Sequence, residues 1–104
     1  MFPTLRINSY QLLHNGEPAN YVRVGEDFSE FIFLVTGEPL PPAVNVFVIG
    51  EQEEQAEILS RVSPTEIEIR LPPRRANAPG FILVRVTSPD FRFSNSMSVE
   101  IRRE

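Results

Sequence analysis

The sequence predicts an all-β domain built as a two-layer antiparallel sandwich. Three segments in the second half carry that prediction. Glu66–Leu71 reads E-I-E-I-R-L, Phe81–Thr87 reads F-I-L-V-R-V-T, and Met97–Arg102 reads M-S-V-E-I-R. The first and last alternate polar and apolar residues strictly, and the middle one is a short apolar run. A strand with one face in a core requires such patterns. Pro72-Pro73 and Gly80 punctuate them, and both residue types break regular ladders.

The other elements follow along the chain. A first strand is expected over residues 5–13, ended by the turn-forming His14-Asn15-Gly16-Glu17-Pro18. A short piece over 21–24 comes next. Phe28–Thr36 forms another strand, closed by Gly37-Glu38-Pro39, and Val44–Ile49 the one after it, closed by Gly50. Glu51–Ser60, E-Q-E-E-Q-A-E-I-L-S, is the best helical candidate, but its first half offers no apolar stripe to bury. Its start therefore reads as a hairpin turn, and Ala56–Val62 as a strand ending at Ser63-Pro64. Strands over 66–71, 80–88 and 94–102 complete the set. Seven or eight short strands, with turns about every 8–12 residues, are the mark of a sandwich. Most of the 10 prolines fall between strands, where a missing N–H breaks no ladder.

Alternation assigns the faces. One set of rows points inward: Phe31, Phe33 and Val35; Val44, Val46 and Val48; Ile67, Ile69 and Leu71; Ile82, Val84 and Val86; Met97, Val99 and Ile101. The two layers are expected to close on these rows without a hollow. Opposite them lie Ile32 and Leu34, Phe47 and Ile49, and Phe81 and Leu83. In an immunoglobulin-like sandwich the strand holding Phe47 neighbours the strand holding Phe81. Phe47, Ile49, Phe81 and Leu83 then form one apolar patch on the outside of a sheet, and they are the candidate partner-contact residues. An exposed apolar patch marks a contact with another protein. The competing expectation is that Pro39–Pro42 or Phe91-Arg92-Phe93 folds over it.

The chain has 104 residues, no cysteine and a net charge of -4, and all 10 basic residues are arginine. This length suits a single domain over residues 1–104 that folds without disulfides or metal. The acidic balance argues against a nucleic-acid partner, which needs clustered positive charge. Arg74-Arg75 and Arg102-Arg103, the only basic doublets, read as a solvated turn and a solvated tail. No apolar run approaches the ~20 residues that span a bilayer, so neither membrane insertion nor a signal peptide is expected in this chain. An extracellular or particle-associated setting, within a larger assembly, is compatible with this reading.

The order of motifs resembles the IPT/TIG domain, an immunoglobulin-like fold shared by plexins, some transcription factors and many bacterial multidomain proteins. The resemblance runs through F-I-F-L-V-T-G (Phe31–Gly37), V-N-V-F-V-I-G (Val44–Gly50), A-E-I-L-S (Ala56–Ser60) and S-P-T-E-I-E-I-R-L-P-P (Ser63–Pro73). It continues through P-G-F-I-L-V-R-V-T-S-P-D (Pro79–Asp90) and S-N-S-M-S-V-E-I (Ser94–Ile101). It covers residues 28–101, while His14–Asn20 stands where the family has a glycine-rich opening. The resemblance implies an immunoglobulin-like two-sheet antiparallel β-sandwich with no catalytic residues to carry over.

The residues themselves offer little chemistry. His14, the only histidine, sits beside the turn pair Asn15-Gly16 and reads as a turn residue. Glu51, Glu53, Glu54 and Glu57 lack the aspartate, asparagine and glycine of calcium loops and read as a solvated hairpin tip. Glu66 and Glu68 read as solubilising charges, paired across strands with Arg70 or Arg85. No phosphate-binding, nucleophile-elbow or zinc-protease motif occurs. Tyr10, Tyr21, Phe91 and Phe93 are candidate stacking platforms for sugars, though the chain has no tryptophan. The expected function is a noncatalytic structural or protein-interaction module without cofactor or metal, contacting a protein partner or a second copy through a sheet face or edge. The alternative is a carbohydrate-binding accessory module of a larger surface or secreted protein.

Overall fold

The computed structural model describes residues 5–41, 43–50, 52–90 and 92–103. They form ten strands: β1 Ile7–His14, β2 Glu17–Ala19, β3 Tyr21–Arg23, β4 Phe31–Gly37, β5 Asn45–Ile49, β6 Glu53–Gln55, β7 Glu57–Ser63, β8 Glu66–Arg70, β9 Gly80–Thr87 and β10 Met97–Arg102. One sheet has the order β2-β1-β4-β8-β7 and the other β3-β10-β9-β5-β6. All pairings are antiparallel except β3 with β10, which is parallel. β1, β4, β8 and β7 give the A-B-E-D order of an immunoglobulin-like sandwich, and β5, β9 and β10 its C-F-G order, with β6 added beside β5.

The expected core rows pack between the sheets. Phe31, Phe33, Val35, Ile67, Ile69 and Leu71 face Val46, Val48, Ile82, Val84, Val86, Met97, Val99 and Ile101, all buried. Val44 is the exception. It precedes β5, is half-buried, and packs against the core from its rim.

Four local features depart from the sequence-based expectation. The first is a strand, β2, within the expected loop after His14. Asn15 (φ 53°) and Gly16 (φ 84°) both take the left-handed conformation of a two-residue hairpin turn, so β1 pairs directly with β2 from His14↔Glu17 onward. Second, Phe28–Glu30 is a 3-10 turn rather than the start of a strand. The Asp27 carboxylate accepts from the Ser29 backbone N–H at 2.9 Å and from the Ser29 hydroxyl at 2.8 Å, which closes that turn. Third, the polar Glu53–Gln55 is a strand, because its backbone completes the ladder of β5. Ala56 then carries the chain from one sheet to the other, its N–H donating to the Val46 carbonyl at 2.8 Å. Fourth, β10 begins at Met97, not at Ser94. The Ser94 hydroxyl accepts from the Val86 N–H at 2.9 Å, so a side chain does the work of a ladder rung there.

Candidate functional site

The outer face of the β3-β10-β9-β5-β6 sheet holds the predicted patch. In the register of β5 and β9, Ile49 lies opposite Leu83 and Phe47 opposite Arg85. Phe81 follows one pleat beyond Leu83 on the same face. Phe81 is 67% exposed and Leu83 37%, while Phe47 and Ile49 are half-buried. The rows alongside are polar. Ser98 and Glu100 lie opposite Leu83 and Phe81 on β10, and Gln55 and Glu53 lie opposite Phe47 and Ile49 on β6. The result is an apolar strip two strands wide with a polar border on each side.

Among the described residues, the contacts of the two expected covers lead away from Phe81 and Leu83. Arg61 of β7 donates to the carbonyls of Pro41 (2.6 Å) and Leu40 (3.2 Å), and the Leu40 N–H donates to the Pro64 carbonyl at 2.9 Å. These bonds hold the β4–β5 connection against the opposite sheet. Phe93 lies beneath the Arg85 guanidinium, 5.5 Å from ring centroid to carbon, and so flanks Arg85 rather than Phe81 or Leu83. Phe91 and Pro42 lie outside the described residues. Ile32 and Leu34 stand on β4 in the other sheet, between Leu13 and Arg70 and between Gln11 and Glu68, so they do not join the strip.

The core rows close between the layers as expected, and a recess lies outside them at one end of this face. The connection from β8 to β9 stands off the sheet and leaves an open recess of about 690 Å³. Arg74 and Arg75 stand in its wall, Phe28, Ile82 and Ile101 form its base, and Ile49, Phe81 and Leu83 belong to both recess and strip. Sequence reasoning missed the recess because no strand pattern reports how far a loop stands from its sheet.

The ionisable groups serve turns and loop ties. The Arg74 guanidinium meets the Glu54 carboxylate at 2.7 Å and donates to the Gln52 amide oxygen at 3.2 Å. Arg75 donates to the Gly25 carbonyl at 2.6 Å and lies 3.9 Å from the Asp27 carboxylate. The Ser29 backbone and hydroxyl bonds hold the Asp27 carboxyl below its ordinary range, with Arg75 and the Arg74 N–H adding to the effect. The hydroxyl of Ser88 and the guanidinium of Arg92 do the same for Asp90. Glu100, 2.9 Å from Arg102, raises the arginine further. The His14 ring stacks on Phe31 at 4.2 Å, with its Nε2 3.3 Å from Glu30 and 3.8 Å from Glu26. His14 thus ties the β1–β2 turn to the segment before β4. Pairing of Glu66 or Glu68 with Arg85 does not occur, because β8 and β9 belong to different sheets. Glu66 accepts instead from the Thr36 hydroxyl at 3.3 Å. Among the described residues no group of three or more His, Cys, Asp or Glu side chains is placed to hold a metal ion.

No family model matches the chain, and no curated protein matches it in sequence.

Proposed function

We propose that this chain is a noncatalytic interaction module of IPT/TIG type that contacts a protein partner through the outer face of the β3-β10-β9-β5-β6 sheet. The observation that carries this reading is the contiguous strip of exposed Phe81 and Leu83 and half-buried Phe47 and Ile49 within polar borders. Apolar surface removed from water contributes ~25 cal/mol per Å², so a partner gains most where such side chains are contiguous.

The sheet edges offer much less. β2 contains Pro18, which lacks an N–H, and β3 and β6 are three residues each. β7 is interrupted by register shifts at Ile58/Ser60 and Arg61/Ser63. Short, proline-bearing or bulged edges are how proteins prevent strand addition. A face contact is therefore favoured over an edge contact.

The carbohydrate reading draws less support. Tyr10 packs on Phe33 with ring centroids 5.2 Å apart, Tyr21 lies under Arg102 at 4.5 Å, and Phe93 under Arg85 at 5.5 Å. Each of these rings has its own intramolecular partner, and they stand on β1, on β3 and in the β9–β10 connection rather than on one platform.

Chemical cross-linking of the full chain in its native extract tests the proposal. Phe81→Glu is expected to abolish the cross-linked species at an unchanged melting temperature. Persistence of those species in both Phe81→Glu and Leu83→Glu would remove this face as the contact.

A further inference from the structure

The geometry points to the recess beside the strip as the docking site for an acidic peptide segment of a partner protein, which inserts a bulky apolar side chain between Phe81 and the β8–β9 connection. The inference rests on the protein-contact reading above and adds the chemistry of the partner.

Three observations carry it. First, the recess and the strip share Ile49, Phe81 and Leu83, so a partner side chain seated in one continues onto the other. The volume of about 690 Å³ falls within the ~300–1,000 Å³ of concave ligand sites. Second, the wall presents two guanidinium groups, Arg74 paired with Glu54 and Arg75 more loosely with Asp27, while Glu53 and Glu100 stay on the strands flanking Ile49 and Phe81. The chain carries -4, yet Arg74 and Arg75 line the recess and no carboxylate does so among its described residues. Third, the two arginines are not equivalent. Glu54 neutralises Arg74 at 2.7 Å. Arg75 is 64% exposed along its side chain, and its Asp27 neighbour stands at 3.9 Å, the limit of an ion pair. Its short bond goes to the Gly25 carbonyl, which orients the guanidinium without cancelling its charge. Arg75 is thus a pre-oriented cation at the mouth of a partly apolar recess. A carboxylate adjoining an apolar anchor is the complement to that pair of features.

A random peptide library displayed on phage, selected against the full chain, tests this. Enriched sequences are expected to join an aromatic or large aliphatic residue to Asp or Glu. Their synthetic, fluorescein-labelled forms should lose affinity about ten-fold with Arg75→Glu and on raising NaCl from ~50 to ~500 mM, but not with Arg103→Glu. Arg75→Gln provides a milder variant, and amide shifts at Ala76, Gly80 and Phe81 in the unaltered protein provide a readout that needs no variant. Enrichment of neutral or basic peptides overturns the inference. So does binding that ignores Arg75→Glu but is lost in Phe47→Glu; the strip then remains the contact surface without the recess. Failure to enrich any peptide, together with a dimer that dissociates in Phe47→Glu, assigns the face to a second copy and also overturns it. No enrichment from a chain that stays monomeric overturns the recess inference, while the face contact stands or falls with the cross-linking of Phe81→Glu and Leu83→Glu.

Discussion

The side chain of Asn95 pairs with the backbone of Ile7 as a neighbouring strand would, although 88 positions separate them. Its amide oxygen accepts from the Ile7 N–H at 2.9 Å, and its amide nitrogen faces the Ile7 carbonyl at 3.4 Å. One polar side chain in the β9–β10 connection thereby fastens the start of β1 across the end of the sandwich. Leu5, just before it, donates to the Phe93 carbonyl at 3.1 Å. Asn95→Ala leaves the Ile7 N–H without its acceptor and is expected to cost about 1–2 kcal/mol in urea unfolding. Asn95→Asp keeps the acceptor and should cost less. Equal losses in the two variants would show that the amide oxygen does not carry the tie.

Gly37 ends β4 where the chain passes close to Arg6. A Cβ built there overlaps the Arg6 carbonyl oxygen and stands 3.1 Å from the Ile7 Cα, both backbone atoms that cannot rotate away. Gly37→Ala is expected to destabilise the domain by about 2 kcal/mol or more through displacement of β1. Gly16→Ala meets no atom within 4 Å but holds φ at +84°, so its cost, about 1 kcal/mol, comes from backbone conformation alone. Thermal melts of the two variants should rank in that order.

Leu83 and Val84 are consecutive and face opposite ways. Val84 is fully buried between the sheets, while Leu83 lies on the outer strip. Val84→Asp places an unpaired carboxylate in the core and should abolish the cooperative melt. Leu83→Asp should leave melting within about 0.5 kcal/mol of the parent while weakening partner contact. A folded Val84→Asp variant would overturn the face assignment of β9.

Acid should weaken the hold of Asp27 on the β3–β4 connection. The Asp27 carboxyl has an ordinary value of 3.8 and is held lower in the folded state by Ser29 and Arg75. The unfolded chain therefore binds the proton first. The stabilisation from Asp27 is fully present above that ordinary value and is lost as pH falls through the lower folded one. Asp27→Asn is expected to flatten the pH dependence of the melting temperature below ~4, with little change in slope at neutral pH. A steep acid limb that survives in Asp27→Asn and is removed by Asp90→Asn would assign the effect to the Ser88–Asp90–Arg92 turn instead.

The alternation of Glu66–Arg70 and Met97–Arg102 determined which side chains face inward, because a pleat turns every second residue to the same side. Periodicity likewise turned Phe47 and Ile49 outward on β5 and Phe81 and Leu83 outward on β9, while the immunoglobulin-like strand order was needed to expect the two strands side by side, as they pair. The short strands β2 and β6 were illegible: Glu-Pro-Ala and Glu-Glu-Gln carry no strand pattern, and each exists because a longer neighbour supplies its hydrogen bonds. The pairing of Asn95 with Ile7, the close approach of Gly37 to Arg6, and the recess walled by Arg74 and Arg75 were decided by tertiary structure alone. Periodicity reports the direction in which a residue points from its own strand. Distances between segments far apart in the chain arise only when two twisted sheets settle on a shared core, and that packing sets where a loop closes and where it stands open.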